Sequence, residues 1–200
     1  RVERDTITYN AAISACEKGG QWWQALQLLR EMSDIRLDVG TTAFSGAVSA
    51  CEKGRQWRSM LQLLHEMADV HVERNTITYN AAVSTCEKCG QWQQALQLFQ
   101  EMEKDRVERD AITYSAVVSS FEKNGLWVQA LNLLCLMSDF NLSVGSVAYS
   151  AAVSACEKGR EWQQALQLMH RMVQDQVERN IVTYNAAVSA CEKCWEWQQA

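Results

Sequence analysis

The side chains in this sequence best suited to chemistry are cysteines. Cys86 and Cys89 in CEKCG, and Cys191 and Cys194 in CEKCW, are each separated by two residues, the spacing of a zinc knuckle or a redox pair. The two pairs lie 105 residues apart, whereas a zinc ribbon wants roughly 15 to 20 between its pairs. Cys16, Cys51, Cys86, Cys156 and Cys191 share one column with Phe121. A phenylalanine ligates no metal, so the column reads as packing, and no metal or other cofactor is expected. His65, His71 and His170 are scattered. No nucleophile, base and orienting acid recur together, and HExxH, phosphate-loop and Gly-rich fingerprints are absent, so no catalytic residue, enzyme activity or small-molecule substrate is predicted.

A second candidate set is basic. Lys18, Lys53, Lys88, Lys123, Lys158 and Lys193 form the only invariant basic column. Cations along one line match a phosphate backbone, and neutralising several phosphates makes affinity fall steeply with salt. The other use open to them is as solvated lysines favouring a helix C-terminal dipole. Each is preceded by Glu, from Glu17 to Glu192. Adjacent helical residues point about 100° apart, so this acid need not share the Lys face.

Those columns repeat with a period of 35 residues. Tyr9, Phe44, Tyr79, Tyr114, Tyr149 and Tyr184 keep it, as do Trp22, Trp57, Trp92, Trp127, Trp162 and Trp197, without an insertion. Units starting three residues before the aromatic run over 6–40, 41–75, 76–110, 111–145 and 146–180, with a truncated sixth at 181–200 and the tail of an earlier unit at 1–5. Both ends fall inside a repeat and no initiator Met is present, so the chain reads as a segment of a longer protein.

Within one unit, Tyr9, Ala12, Ile13 and Cys16 share one helical face, and Gly19-Gly20 breaks the helix. Trp22, Ala25, Leu26, Leu29 and Met32 form a second stripe, and a polar tail from Ser33 to Gly40 closes the unit. A lone hairpin cannot bury both stripes, so neighbouring units must stack, giving an all-α solenoid of helix-turn-helix repeats. The Trp column, beside Ala and Leu on the second helix, reads as packing between repeats; Trp23 and Trp195 fall outside it.

Composition agrees with a soluble fold: 48% of the 200 residues are hydrophobic, and no apolar run suggests a membrane span. Eight cysteines fall well short of a disulfide scaffold's density and favour a reducing compartment. The net charge of -5, from 19 basic and 24 acidic residues, gives no support to nucleic-acid binding by total charge. The distribution of those charges decides more than their sum.

The wording TYNAAISACEKGGQWWQALQLLREM, repeated through the chain, closely resembles the pentatricopeptide repeat consensus. Its TYN opening, the Lys near the first helix's end and the AL-x-L-x-x-x-M second helix all recur. The resemblance implies a right-handed α-solenoid that binds single-stranded RNA at about one base per repeat. It also implies a role in organellar RNA processing, in plastid or mitochondrion, with protein partners supplying catalysis. A helical scaffold for protein partners, without RNA, is the alternative.

By the same resemblance, the residue after the aromatic acts with the last residue of its unit to read a base. The pairs are Asn10 with Gly40, Ser45 with Asn75, Asn80 with Asp110, Ser115 with Gly145, and Ser150 with Asn180; Asn185 has lost its partner to truncation. The Ser and Asn pairs imply adenine, the Asn and Asp pair uracil, and the Gly-ended pairs depart from the usual code. Short polar side chains also suit a helix N-terminus, with or without a base. Ile7, Thr42, Ile77, Ile112, Val147 and Val182 form the column that wedges between bases in the family; packing on the neighbouring unit is equally open to them. The family commonly has Pro just before the last residue, and this chain has none: Arg74, Arg109 and Arg179 stand there in three units, Val39 and Val144 in the Gly-ended ones. The change either loosens the loop or adds positive charge beside the reading residues.

Overall fold

The computed structural model describes residues 5–194. Arg1 to Arg4 of the expected tail, and Trp195 and Trp197, lie outside the described residues. The chain forms two compact units, Arg1–Glu108 and Arg109–Ala200. Unit 1 holds α1 (Thr6–Lys18), α2 (Trp22–Asp34), α3 (Thr41–Lys53), α4 (Trp57–Asp69), α5 (Thr76–Lys88) and α6 (Trp92–Lys104). Unit 2 holds α7 (Ala111–Glu122), α8 (Trp127–Asp139), α9 (Ser146–Gly159), α10 (Trp162–Gln174) and α11 (Ile181–Lys193). No strand occurs among the described residues, and the fold is all-α, built of paired helices.

Each pair is closed by turns that force a left-handed residue. Gly20, Arg55, Gly90, Gly125 and Arg160 take positive φ inside the hairpins. After the second helices, Arg36, His71, Arg106, Asn141 and Gln176 do the same. At the latter turn Leu37 N–H donates to Met32 O at 2.9 Å and Arg36 N–H to Ser33 O at 3.0 Å, which satisfies carbonyls the ending helix would otherwise orphan.

The odd-numbered helices stack directly on one another, α1 on α3 and α3 on α5 in unit 1, α7 on α9 and α9 on α11 in unit 2. Small residues permit it: a Cβ added at Gly46 would come within 2.9 Å of Ile13 Cγ2 on the neighbouring helix. An internal first helix is therefore buried on two sides, as in α9, where every residue from Ala148 to Cys156 is buried. Each second helix instead buries one stripe against first helices, such as Met60, Leu63, Leu64 and Met67 in α4. Burying a side chain of this size contributes roughly 1.5–3 kcal/mol.

Trp22 and Trp127 pack between repeats. A Cβ on Gly54 would lie 2.4 Å from Trp22 Cδ1, and one on Gly159 would lie 2.4 Å from Trp127 Cδ1, so each indole rests on the first-helix end of the next repeat. Cys51, Cys86, Phe121, Cys156 and Cys191 are buried. Burial pushes the thiols of Cys51, Cys86 and Cys156 up to about 12, the opposite of what a ligand or redox thiol needs. Cys89 and Cys194 donate their S–H groups back to the carbonyls of Arg55 and Arg160, each at 3.2 Å.

Candidate functional site

The N-terminal turns of the first helices gather three of the predicted columns. The wedge column is open to solvent: Ile7 is 78% exposed, Ile77 68%, Ile112 65%, Val147 64% and Val182 61%, with Thr42 exposed in the second repeat. Packing on the neighbouring unit, one of the two uses open to these residues from sequence, does not occur. Apart from Thr42, the residue held out of the core at each of these repeat starts is aliphatic.

The last residue of each repeat is the N-cap of the next first helix. Asp5, Asn75, Asp110 and Asn180 all enter in extended backbone and accept the N–H of the residue three places on through a side-chain oxygen: Thr8 at 2.8 Å, Thr78 at 3.0 Å, Thr113 at 2.8 Å and Thr183 at 2.9 Å. The hydroxyls of Thr8 and Thr113 hold the Asp5 carboxyl below its ordinary value and complete a capping box at Asp110, respectively. Gly40 and Gly145 enter α3 and α9 in the same extended backbone with no side-chain cap.

The structure joins two of the expected pairs through a residue the sequence reading passed over. Ser45 Oγ lies 2.9 Å from Thr78 Oγ1, which donates to Asn75 Oδ1 at 3.0 Å. In unit 2, Ser150 Oγ lies 2.7 Å from Thr183 Oγ1, which donates to Asn180 Oδ1 at 2.8 Å. The Gly-ended pairs are not joined. Asn10 Oδ1 is buried with no hydrogen-bond partner, and Ser115 turns back to its own helix, donating to Ala111 O at 2.6 Å. Asn80 is half-buried on α5 in unit 1, Asp110 caps α7 in unit 2, and Asn185 is exposed on α11.

The lysines lie at the other end of the first helices, and the acid beside them matters more than the sequence suggested. Glu of one repeat faces Lys of the next: Lys53 pairs with Glu17 at 3.7 Å, Lys88 with Glu52 at 2.8 Å, Lys158 with Glu122 at 3.3 Å and Lys193 with Glu157 at 2.8 Å. Ser84 and Ser189 add hydrogen bonds to Glu52 and Glu157, each at 2.8 Å. Burial works to raise the Glu157 pKa, but the bonds from Lys193 and Ser189 outweigh it and hold the carboxyl below its ordinary value. Lys18 on α1 in unit 1 is exposed too, as is Lys123 just after α7 in unit 2. The side chains of Lys53, Lys88, Lys158 and Lys193 stay 39–46% accessible while each shares its charge with a carboxylate.

Arg74, at the place of the missing Pro, does not add free charge to the reading row. Its guanidinium bonds Asp105 at 2.5 Å and sits 5.7 Å from the Tyr79 ring centroid, while Tyr79 Oη donates to the same carboxylate at 2.6 Å. The arginine thus ties the loop that closes its repeat to the far end of the next hairpin, just past α6. Arg179 covers the Tyr184 ring at 5.3 Å. Among the described residues no group of three or more His, Cys, Asp and Glu could hold a metal ion, and no helix is long and apolar enough to cross a membrane.

Comparison with known proteins adds the following. A family model described as "Pentatricopeptide repeat-containing protein" matches residues 99–200, a PPR repeat family model matches 74–123, and a PPR repeat model matches 7–37. No curated protein sequence matches the chain. Among solved structures, PPR10 from maize is 23% identical with a TM-score of 0.70, over 96% of this chain. PPR10 in complex with an 18-nt psaJ RNA element is 18% identical with a TM-score of 0.66, over 92% of this chain. The PPR domain of Arabidopsis thaliana protein-only RNase P 1, in complex with tRNA, is 15% identical with a TM-score of 0.67, over 76% of this chain and 82% of that domain. The chain spans 28% of maize PPR10 without RNA and 32% of the RNA-bound form. At these identities the likeness speaks to the fold.

Proposed function

Since the chain belongs to the pentatricopeptide repeat family, we propose that it binds single-stranded RNA at about one base per repeat. The observation that carries this reading is the exposed apolar row Ile7, Ile77, Ile112, Val147 and Val182. Aliphatic side chains at regular intervals offer contact to base faces whatever the base. In this reading the bases are read by Asn10 with Gly40, Ser45 with Asn75, Asn80 with Asp110, Ser115 with Gly145, and Ser150 with Asn180, followed by Asn185. With the family's polarity, amino end toward the 5′ side, the register is any base, A, U, any base, A, then a pyrimidine.

Lys18, Lys53, Lys88, Lys123, Lys158 and Lys193 contact phosphates in this reading. The Glu facing each of Lys53, Lys88, Lys158 and Lys193 competes with the phosphate, so the salt dependence is shallower than six unpaired cations would give. The relatives found with RNA in their structures support the same reading. The setting we propose is organellar RNA processing, stability, editing or translation, with protein partners bringing any catalysis.

Titrating labelled 5′-NAUNAY RNA against its scrambled form tests this. Preference for the cognate RNA, weakening with salt, is expected. Equal and negligible binding would replace RNA with a protein partner, and equal, salt-sensitive binding would keep RNA but remove the code.

A further inference from the structure

The third residue of each repeat changes in step with the cap three places before it. Asp5, Asn75, Asp110 and Asn180 are followed by Thr8, Thr78, Thr113 and Thr183, whereas Gly40 and Gly145 are followed by Ala43 and Ala148. Counting protons at Thr78 shows what the threonine does. Its one hydroxyl proton goes to Asn75 Oδ1, which also accepts the Thr78 N–H. The contact between Ser45 Oγ and Thr78 Oγ1 must therefore run with Ser45 as donor. The same count holds for Ser150, Thr183 and Asn180 in unit 2.

With its proton engaged, the serine has only lone pairs to offer a base. With its oxygen engaged twice, the asparagine has only its NH2. Hydroxyl rotation and amide flipping, which would otherwise let the pair present either polarity, are both blocked. We propose that Thr78 and Thr183 are positioning residues that lock the two Ser–Asn pairs into one acceptor plus one donor, selecting adenine over guanine. Adenine presents the complement, a donor at N6 and an acceptor at N1. In the same orientation guanine sets O6 against the serine lone pairs and N1–H against the asparagine N–H, like against like. Where Ala43 and Ala148 replace the threonine no lock forms: the Asn10 oxygen has no partner and Ser115 bonds its own helix. This inference rests on the RNA-reading role proposed above.

The test uses the whole chain and 5′-NAUNAY RNAs carrying adenine or guanine at the second and fifth positions. The T78V/T183V variant removes both hydroxyls and keeps the backbone N–H caps. Its preference for adenine over guanine is expected to fall about tenfold per position, the worth of a fixed polar contact, while T78S/T183S retains it. An equal loss for both RNAs would reveal helix capping alone and overturn the lock, as would undiminished discrimination. If the valine variant does not fold, the reverse arm decides: G145N/A148T, which completes a Ser–Asn pair at Ser115, should gain adenine preference at the fourth position and G145N alone should not, and an equal gain in both overturns the lock. Wild-type protein that binds neither RNA overturns the RNA reading itself and the lock with it.

Discussion

At Asn75 the chain enters α5 through a side-chain cap, and at Gly40 it enters α3 with none. The backbone does the same thing at both places, with φ -98 and ψ 174 at Asn75 and φ -81 and ψ 177 at Gly40. Both helices then run for 13 residues. Geometry at the junction is thus held by the packed hairpins on either side, and the fold is served nearly as well by Gly as by Asn. Exchanging an Asn cap for Gly costs only a few tenths of a kcal/mol. A column nearly neutral between Asn and Gly is, in the proposed reading, well placed to vary with the base.

The largest expected effect comes from the feature both junctions share. Replacing Ile77, Ile112 and Val147 together with Asp should lower RNA affinity by about 100-fold, through lost base-face contact and added repulsion of phosphate. Because these side chains are exposed, thermal unfolding should shift little. A collapse of the melting transition would show instead that the row holds the fold.

Next in size is a direct exchange of one junction type for the other. N75G/N180G should lose adenine selectivity by about tenfold while unfolding within a few tenths of a kcal/mol of the parent. By contrast Asn75→Ala should destabilise by about 1 kcal/mol, and Gly40→Ala should cost less, since a Cβ there meets nothing within 4 Å. Denaturant unfolding and RNA titration on the same variants separate the two properties. Equal destabilisation by Ala at both sites would remove the distinction between them.

The smallest effect concerns the acidic partners. E52Q/E157Q removes the carboxylate charges that Glu52 and Glu157 set against Lys88 and Lys193, and RNA affinity at low salt should rise by about two- to fivefold, with a steeper salt slope. Filter binding at two salt concentrations would reveal it. A fall in affinity would mean that Glu orients the lysine for phosphate rather than competing with it.

The period made the hairpins legible. One aromatic and one Trp column, never interrupted, require identical units, and helical faces of spacing three and four can hide only by stacking. Packing roles for the Cys and Trp columns followed from a Phe121 that cannot ligate and from indoles beside Ala and Leu. What escaped were contacts between repeats. A helical wheel separates Glu52 from Lys53 but is blind to Lys88 one repeat on, 36 residues away. Arg74 reaches Asp105 across a whole hairpin. The Thr78 link was hidden because it joins residues 33 and three apart. Its trace was nevertheless present, in threonines that give way to Ala43 and Ala148 only where the cap gives way to Gly40 and Gly145.

The most direct test of the account is a competition series in which 5′-NAUNAY RNA is changed one position at a time. One base per repeat, read at capped junctions and ignored at bare ones, predicts an uneven profile. Substituting the second, third or fifth base should weaken binding about tenfold each, and substituting the first or fourth should leave it unchanged. A flat profile, with every position costing the same or none costing anything, would contradict it.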